Sequence, residues 1–273
     1  MPNEMHEEDF AQSIYAKHQA HFDHYHRLQM FSQECLTKYR GFTKDAYYAA
    51  VQLILPRAHK SFDAIRRLCL LASCEDAAVV LRCLLNLMAV TRWLSVDPQK
   101  RAGRFLAWYW VELHRLAEKD PTIFPPHWLP VIENKFAAVK SAFEHKDAKG
   151  KVKIVKHWYQ PEANGLIDLF RQVDLEKHYD EAYRPLSGTE HSDVMAYFAM
   201  FANAKKTNGE TQLEIQSDSF ACTYLRNGFQ YFGDIFVICN KTMALADPAK
   251  LEEIINAGIE FYRADMQAKG IKP

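Results

Sequence analysis

Two charged residues stand alone in long apolar stretches of the sequence and are the first candidates for chemistry. Arg82 is the only charged residue in the stretch 77–91, and Asn86 follows it by four residues, on the same face of a helix. Asp234 is the only acidic residue in the stretch 219–246. Because an unpaired buried charge is strongly unfavourable, we expect Arg82 and Asp234 to meet. Arg82 then has one of two roles. It either bonds to groups on neighbouring helices and so joins them, or it binds an anion while the Asn86 amide holds the guanidinium in place.

A second polar group occupies the segment 183–191, Tyr-Arg-Pro-Leu-Ser-Gly-Thr-Glu-His. Ser187 and the glutamate three residues later fit a capping box at the start of a helix. This box places His191 in the first helical turn, where the positive end of the helix dipole disfavours a charged imidazole. A neutral His191 acts either as a general base or as a core histidine bonded to a carbonyl or carboxylate.

Histidines near the beginning of the chain raise the question of a metal site. His18, His21 and His24 recur at intervals of three along one side of a predicted helix, and His26 follows. Helical zinc pairs usually need a spacing of four and a further ligand from elsewhere, so this spacing favours a solvated or partner-facing helix. The sequence also has no P-loop and no glycine-rich dinucleotide motif. We therefore expect neither a metal nor a cofactor.

The elements that must position these residues are helices. Glycine and proline are few, ten and eleven of 273 residues, and they fall between long segments of helical period. The clearest segment, 44–73, contains Pro56, where we expect a kink or a helix start. A break is expected at Pro185. The other helices are predicted over residues 7–39, 75–96, 101–118, 129–145, 162–173, 175–183, 188–204, 219–245 and 248–267.

These segments predict an all-α protein, a bundle-like assembly of many helices in one domain over residues 1–273. At most one short β hairpin is expected in the loops, and the candidate strands are 152–155 and 213–215. The first helix, 7–39, either joins the core or lies at its periphery.

The amino-acid composition indicates the cellular compartment of the protein and the classes of partner that its charge would attract. Basic and acidic residues number 34 each, so net charge provides no general attraction to nucleic acid or to anionic membranes. The six cysteines include no Cys-x-x-Cys pair, and the first ten residues are too polar for a secretory signal. The most apolar stretch, 77–90, is interrupted by Arg82 and Asn86 and is too short to span a bilayer. We expect a cytoplasmic protein without membrane contact, either monomeric or a homodimer.

Two motifs resemble those of a bacterial family, domain of unknown function 5677, over roughly residues 47–240. Members of that family carry Arg-x-x-x-Glu on one helix and Tyr-x-x-Leu-Ser-x-x-x-His further along. This sequence has Arg82-Cys-Leu-Leu-Asn86 and Tyr183-Arg-Pro-Leu-Ser187-Gly-Thr-Glu-His191. Asn86 stands where the family more often has glutamate, which removes one charge partner for Arg82. The resemblance implies a helical fold and no particular activity.

Arg184 and His191, with six residues between them, are similar to the motif of HEPN proteins. Many HEPN proteins are metal-independent ribonucleases of toxin and phage-defence systems. The similarity implies that His191 acts as general acid or base during attack by the ribose 2′-hydroxyl, while Arg184 or Arg82 stabilises the phosphate. The HEPN pair normally lies in a continuous helix, whereas Pro185 and Gly188 come between the two residues here.

Two hypotheses follow from these residues. The first is a non-catalytic helical protein that binds a protein, a nucleic acid such as RNA, or a small ligand, with Arg82, Asp234, Ser187 and His191 in a buried polar network. The second is a HEPN-like ribonuclease whose substrate is RNA. The first is preferred, because each of these residues lies on an apolar helix face.

Overall fold

Apolar residues spaced three and four apart form helices along most of the chain. The computed structural model describes residues 7–38, 45–190, 205–207, 210–212, 218 and 220–271. Its α-helices are α1 (Glu7–Lys17), α2 (Gln19–Lys38), α3 (Ala46–Leu70), α4 (Cys74–Val96), α5 (Pro98–Lys119), α6 (Leu129–Val139), α7 (Leu166–Arg171), α8 (Glu176–His178), α9 (Arg184–Glu190), α10 (Ala221–Met243) and α11 (Pro248–Ala268). Short 3₁₀ turns cover Pro121–Ile123, Pro126–Trp128 and Lys140–Phe143, and a π-helical turn covers Tyr179–Tyr183.

In the described part of the chain, strands occur in two short antiparallel hairpins. β1 (Glu144–Lys146) pairs with β2 (Val152–Ile154), and β3 (Lys205–Thr207) pairs with β4 (Glu210–Gln212). The predicted all-α class is therefore confirmed, although two hairpins form where the sequence predicted at most one. The candidate strand 213–215 lies outside the described residues.

Contacts group the chain into two compact units. The first comprises Met1–Gly41, Val51–Thr91 and Lys177–Pro273, and the second comprises Phe42–Ala50 and Arg92–Glu176. The prediction of one domain over residues 1–273 stays a prediction.

The first unit has an aromatic core in which α2 packs against α10 and α11. The Tyr25 ring stacks on Phe62, with centroids 3.7 Å apart, and Phe62 stacks in turn on Phe232 at 4.4 Å. The Tyr25 hydroxyl donates a hydrogen bond of 2.7 Å to the Phe62 carbonyl, so this buried phenol is satisfied. The single helix predicted over 7–39 is two helices that meet at His18, and the second of them, α2, contributes to this core.

The second unit is organised around α5 and α6, which pack against each other. Its small core contains Val111, Phe143 and Val155, the last of which follows β2. Arg104 lies over the Phe143 ring, 4.4 Å from its centroid, and donates hydrogen bonds to loop carbonyls, including that of Trp158 at 2.6 Å. This arginine therefore holds a segment that has little regular structure of its own. The helix predicted over 129–145 is shorter than expected, since α6 ends at Val139.

Two predictions concern helix length. Of the kink or helix start expected at Pro56, the helix start is wrong, because α3 continues through Pro56 from Ala46 to Leu70, and the kink stays a prediction. α4 is 23 residues long and, by length and composition alone, is long and apolar enough to cross a membrane, whereas the sequence suggested a stretch too short to do so. Buried residues make up 61% of its most apolar window, and core helices of soluble proteins pass the same test. The absence of membrane contact stays a prediction.

Candidate functional site

Arg82 is half-buried on α4, and its guanidinium contacts Tyr183. Its Nη2 donates a hydrogen bond of 3.0 Å to the Tyr183 hydroxyl, and its Cζ lies 4.6 Å from the centre of the Tyr183 ring. A planar, weakly hydrated guanidinium is well suited to such an aromatic contact. The structure therefore joins the two motifs that the sequence analysis singled out separately.

A π-helical turn positions Tyr183. The π-helix Tyr179–Tyr183 runs directly into α9, Arg184–Glu190, and the Arg184 N–H donates to the Tyr179 carbonyl. The break expected at Pro185 and the new helix expected at Ser187 are therefore wrong, because Ser187 lies inside α9. In a regular α-helix the Pro185 ring would collide with the carbonyl four residues earlier. The wider π turn comes just before this proline, and such turns are frequent at functional sites.

The π-helix also carries a stack of rings and cations. The rings of Tyr179 and Tyr183 are 5.1 Å apart and nearly parallel. The Arg184 guanidinium lies 5.7 Å from the centre of the Tyr179 ring, and Arg184 pairs with Asp180 at 3.4 Å. We call Arg82, Tyr183, Tyr179 and Arg184 the arginine–tyrosine stack. Sequence reasoning named three of its members and missed Tyr179, although the four-residue spacing of the two tyrosines was visible.

The remaining predicted residues occupy different environments. Asn86 is half-buried on α4, and its Oδ1 is shielded from solvent without a hydrogen-bond partner in the described part of the chain. Ser187 is half-buried in α9. Asp234 is half-buried on α10, where burial and then its charge raise the pKa of the Cys239 thiol. The pairing of Arg82 with Asp234 stays a prediction, and His191 lies outside the described residues.

A cleft of about 780 Å³ is lined by the segment that precedes Tyr183, together with α10 and the end of α11. Its basic lining residues are Lys177, His178, Arg226 and Arg263, and Glu181 is its acidic residue. Phe229, Tyr231 and Tyr262 form its aromatic part. Because these residues come from three separate segments, no local sequence pattern could have indicated the cleft.

Of the charged side chains of the cleft, Lys177 has a described partner of opposite charge, whereas the two arginines do not. Lys177 approaches Glu181 at 4.0 Å, a contact that water screens. The Nε of Arg226, which is half-buried, donates to the Asn227 side chain at 3.3 Å. Within the residues that the structure describes, no carboxylate lies within ion-pair distance of Arg226 or Arg263. The cleft therefore presents two guanidinium groups whose charge is not neutralised by a described acid.

The aromatic part of the cleft is uncharged. Burial raises the pKa of both Tyr231 and Tyr262, so their hydroxyls stay protonated at neutral pH. The Tyr262 hydroxyl donates to the His21 carbonyl at 3.2 Å, and the Tyr231 hydroxyl lies 3.5 Å from His178 Nδ1. The cleft thus carries positive charge beside a neutral aromatic floor that is almost fully buried, since Phe229, Tyr231 and Tyr262 are 1%, 1% and 4% exposed.

Comparison with protein families matches residues 48–210 to a family of unknown function, DUF5677. This match covers more than half of the chain. The chain belongs to that family. The family resemblance predicted from the two motifs is thereby confirmed, and the match includes the whole arginine–tyrosine stack, whereas α10 and α11 lie outside it. Searches of curated proteins and of solved structures found no match.

Proposed function

We propose that the chain is a non-catalytic helical binding protein whose cleft takes a phosphate-bearing ligand of the nucleotide class. The observation that carries the proposal is the pair of arginines, Arg226 and Arg263, which line one cleft without a described acidic partner. Guanidinium groups bind phosphate oxygens through short, charge-assisted hydrogen bonds. An anion in the cleft would neutralise a charge that the described carboxylates leave uncompensated.

The size and lining of the cleft support a nucleotide over a bare anion. Its volume of about 780 Å³ falls within the usual range of small-molecule sites. Ile259, Met266 and Ile271 supply apolar surface for a base or sugar, and the amides of Asn227 and Gln230 offer hydrogen bonds to it. Three further expectations remain predictions: that the ligand is RNA, a polymer of such nucleotides; that the chain binds a protein partner; and that it forms a homodimer.

Titration calorimetry with AMP, ATP and inorganic phosphate tests the proposal. We expect AMP and ATP to bind more tightly than phosphate alone. Arg226→Gln and Arg263→Gln should each weaken nucleotide binding about tenfold, the loss expected for a charge-assisted hydrogen bond. Lys250→Gln removes a positive charge from α11 outside the cleft and should leave binding unchanged. The proposal is wrong if no nucleotide binds, or if the arginine variants bind as the wild type does.

The second candidate is the HEPN-like ribonuclease, and one observation favours it. Residues Arg184–Glu190 form one helix in spite of Pro185, so the chain between Arg184 and His191 does not have the break that the sequence suggested. In this alternative His191 transfers protons at the ribose 2′-hydroxyl, and Arg184 or Arg82 stabilises the phosphate. Arg184 is exposed enough to reach RNA.

Incubation with a mixed RNA pool in excess chelator separates the two candidates. If the binding protein is correct, RNA stays intact with the wild type and with His191→Ala. Cleavage by the wild type, lost in a His191→Ala variant of unchanged melting temperature, would replace the binding proposal with the ribonuclease. Arg184→Ala and Arg82→Ala would then be tested in the same assay.

A further inference from the structure

Cys222, His18 and Asp218 form a hydrogen-bonded row in the first unit. The Cys222 Sγ lies 3.1 Å from His18 Nδ1, and His18 Nε2 lies 2.7 Å from Asp218 Oδ2. Lys17 contacts the same carboxylate oxygen at 2.6 Å. This is the order of a nucleophile, a base and a group that orients the base.

Local structure fixes each member of the row. His18 lies at the junction of α1 and α2, and Cys222 is the second residue of α10. Asp218 precedes Cys222 by four residues, and its carbonyl accepts a hydrogen bond of 3.0 Å from the Ala221 N–H at the start of α10. Because α2 packs against α10, the histidine approaches the thiol from a segment about 200 residues away in the chain.

The Asp218 carboxylate determines which ring nitrogen of His18 carries no proton and can accept one. Burial alone raises the pKa of Asp218, but hydrogen bonds from Lys17 and His18 outweigh it and hold the pKa below its ordinary value. Asp218 is therefore ionised at neutral pH and accepts the Nε2–H of His18. The lone pair of Nδ1 then faces the Cys222 thiol and is available to take its proton.

We propose that Cys222 is a modification site, a nucleophilic thiol with His18 as its base, that adds to α,β-unsaturated carbonyl compounds. In this step the thiol proton passes to His18 Nδ1 while the sulfur forms a bond to the β-carbon of the electrophile. The electron pair of the carbon–carbon double bond moves to the α-carbon, which then takes the proton back from His18. No group leaves and nothing is oxidised or reduced.

A base is needed because burial disfavours the ionised form of the Cys222 thiol. Burial, the largest influence, raises the pKa of Cys222, and Asp265 and Asp218 raise it further, whereas Lys269 and Lys17 lower it. The thiol therefore keeps its proton until His18 accepts it. The N-terminal turn of α10 then stabilises the negative charge that develops on sulfur.

The exposed thiol of Cys83 on α4 is an internal reference for this reactivity. Cys222 is only partly exposed, so access alone would make Cys83 the faster of the two. A faster reaction at Cys222 can therefore be assigned to the neighbouring His18 and to the helix terminus.

The test is acrylamide modification of the full chain at neutral pH, followed by peptide mass spectrometry at both cysteines. We expect Cys222 to react at least about tenfold faster than Cys83, and His18→Gln to slow Cys222 by about tenfold or more. The rate at Cys83 should be unchanged in that variant. His24→Gln is the matched control, because His24 lies on α2 and stacks on Phe261, 4.5 Å between ring centres.

Two results would overturn the proposal. The first is a wild-type rate at Cys222 that is no faster than the rate at Cys83, a comparison that needs no variant. The second is a His18→Gln protein, with a wild-type circular dichroism spectrum, in which Cys222 reacts as fast as before. If His18→Gln does not fold, Asp218→Asn replaces it, since that variant leaves the base in place but removes the group that orients it.

Discussion

Many arginines of this chain lie over aromatic rings. Among the described residues, the guanidinium carbon is within 5 Å of a ring centre in four cases, namely Arg82 over Tyr183, Arg101 over Trp93, Arg104 over Phe143 and Arg115 over Trp108. A ring face compensates part of the hydration that a guanidinium loses on burial, and the N–H groups at its edge stay free to donate. The Tyr183 ring is one such partner of Arg82 in the apolar sequence around it.

The contact between Arg82 and Tyr183 predicts an energetic coupling between the two side chains. Tyr183→Phe removes the hydroxyl that accepts from Arg82 and should lower the free energy of unfolding by about 1 kcal/mol. Arg82→Lys loses the planar group, and the two changes together should destabilise less than their sum, by about 0.5–1.5 kcal/mol. Urea unfolding of the four proteins measures this coupling.

The control for that cycle is Tyr109→Phe, because Tyr109 is 54% exposed on α5. Its free energy of unfolding should stay within about 0.5 kcal/mol of the wild type. Strict additivity of Arg82→Lys and Tyr183→Phe would show that the contact is energetically unimportant.

At the scale of elements, α10 and α11 approach closely where α11 has a glycine. A Cβ placed on Gly258 would overlap the ring of Phe229 on α10. At Gly233 on α10 an added Cβ would be 3.6 Å from Ile255, an ordinary contact. Gly258 is therefore the position at which the absence of a side chain sets the distance between the two helices.

Gly258→Ala should consequently destabilise the protein. The added methyl group forces the Phe229 ring or the helices to move, which costs about 1–3 kcal/mol in a packed core. Gly103→Ala is the matched control, because that glycine lies within α5 with nothing within 4 Å of an added Cβ. There alanine should raise the free energy of unfolding by up to about 1 kcal/mol. Thermal unfolding measures both, and equal shifts of the same sign would contradict this account of the interface.

At the scale of the whole molecule, several histidines are held neutral. Burial is the main cause that lowers the pKa of His21, His24 and His59 below the ordinary value of 6.5. His59 illustrates the environment, since it is 8% exposed and its Nδ1 lies 2.9 Å from the Ser32 hydroxyl. Below about pH 6.5 the unfolded chain takes up protons that the folded protein resists, so that stability rises with pH in this range.

The free energy of unfolding should therefore be fully retained above about pH 6.5 and decrease as the pH falls below it. Between about pH 7.5 and about pH 5.5 we expect the free energy of unfolding to decrease, measured by urea unfolding. His59→Gln should make the loss smaller, because it removes one group that binds a proton only on unfolding. His26→Gln, at an exposed position of α2, should keep the wild-type dependence. Stability that is constant or rises towards acid would contradict the prediction.

The helices themselves were predictable because their signals are local. The three- and four-residue spacing over 44–73 corresponds to α3. Asp247 caps α11 by accepting a hydrogen bond of 3.0 Å from the Ala249 N–H, and Pro248 occupies the first helical position. Main-chain bonds within a helix join residues four apart, so a short window of sequence contains what is needed. The two motifs around Arg82 and Tyr183 were sufficient to indicate the family for the same reason.

Only the tertiary structure decided which residues meet. The lining of the basic cleft comes from three segments, and His18 reaches Cys222 across most of the chain. The break expected from the local rule for proline did not occur at Pro185, because Pro185 lies in the first turn of α9, directly after the π turn, where proline is tolerated. Helix periodicity reports which face is buried, whereas the partner of that face depends on loop closure and on the packing of side chains from distant segments.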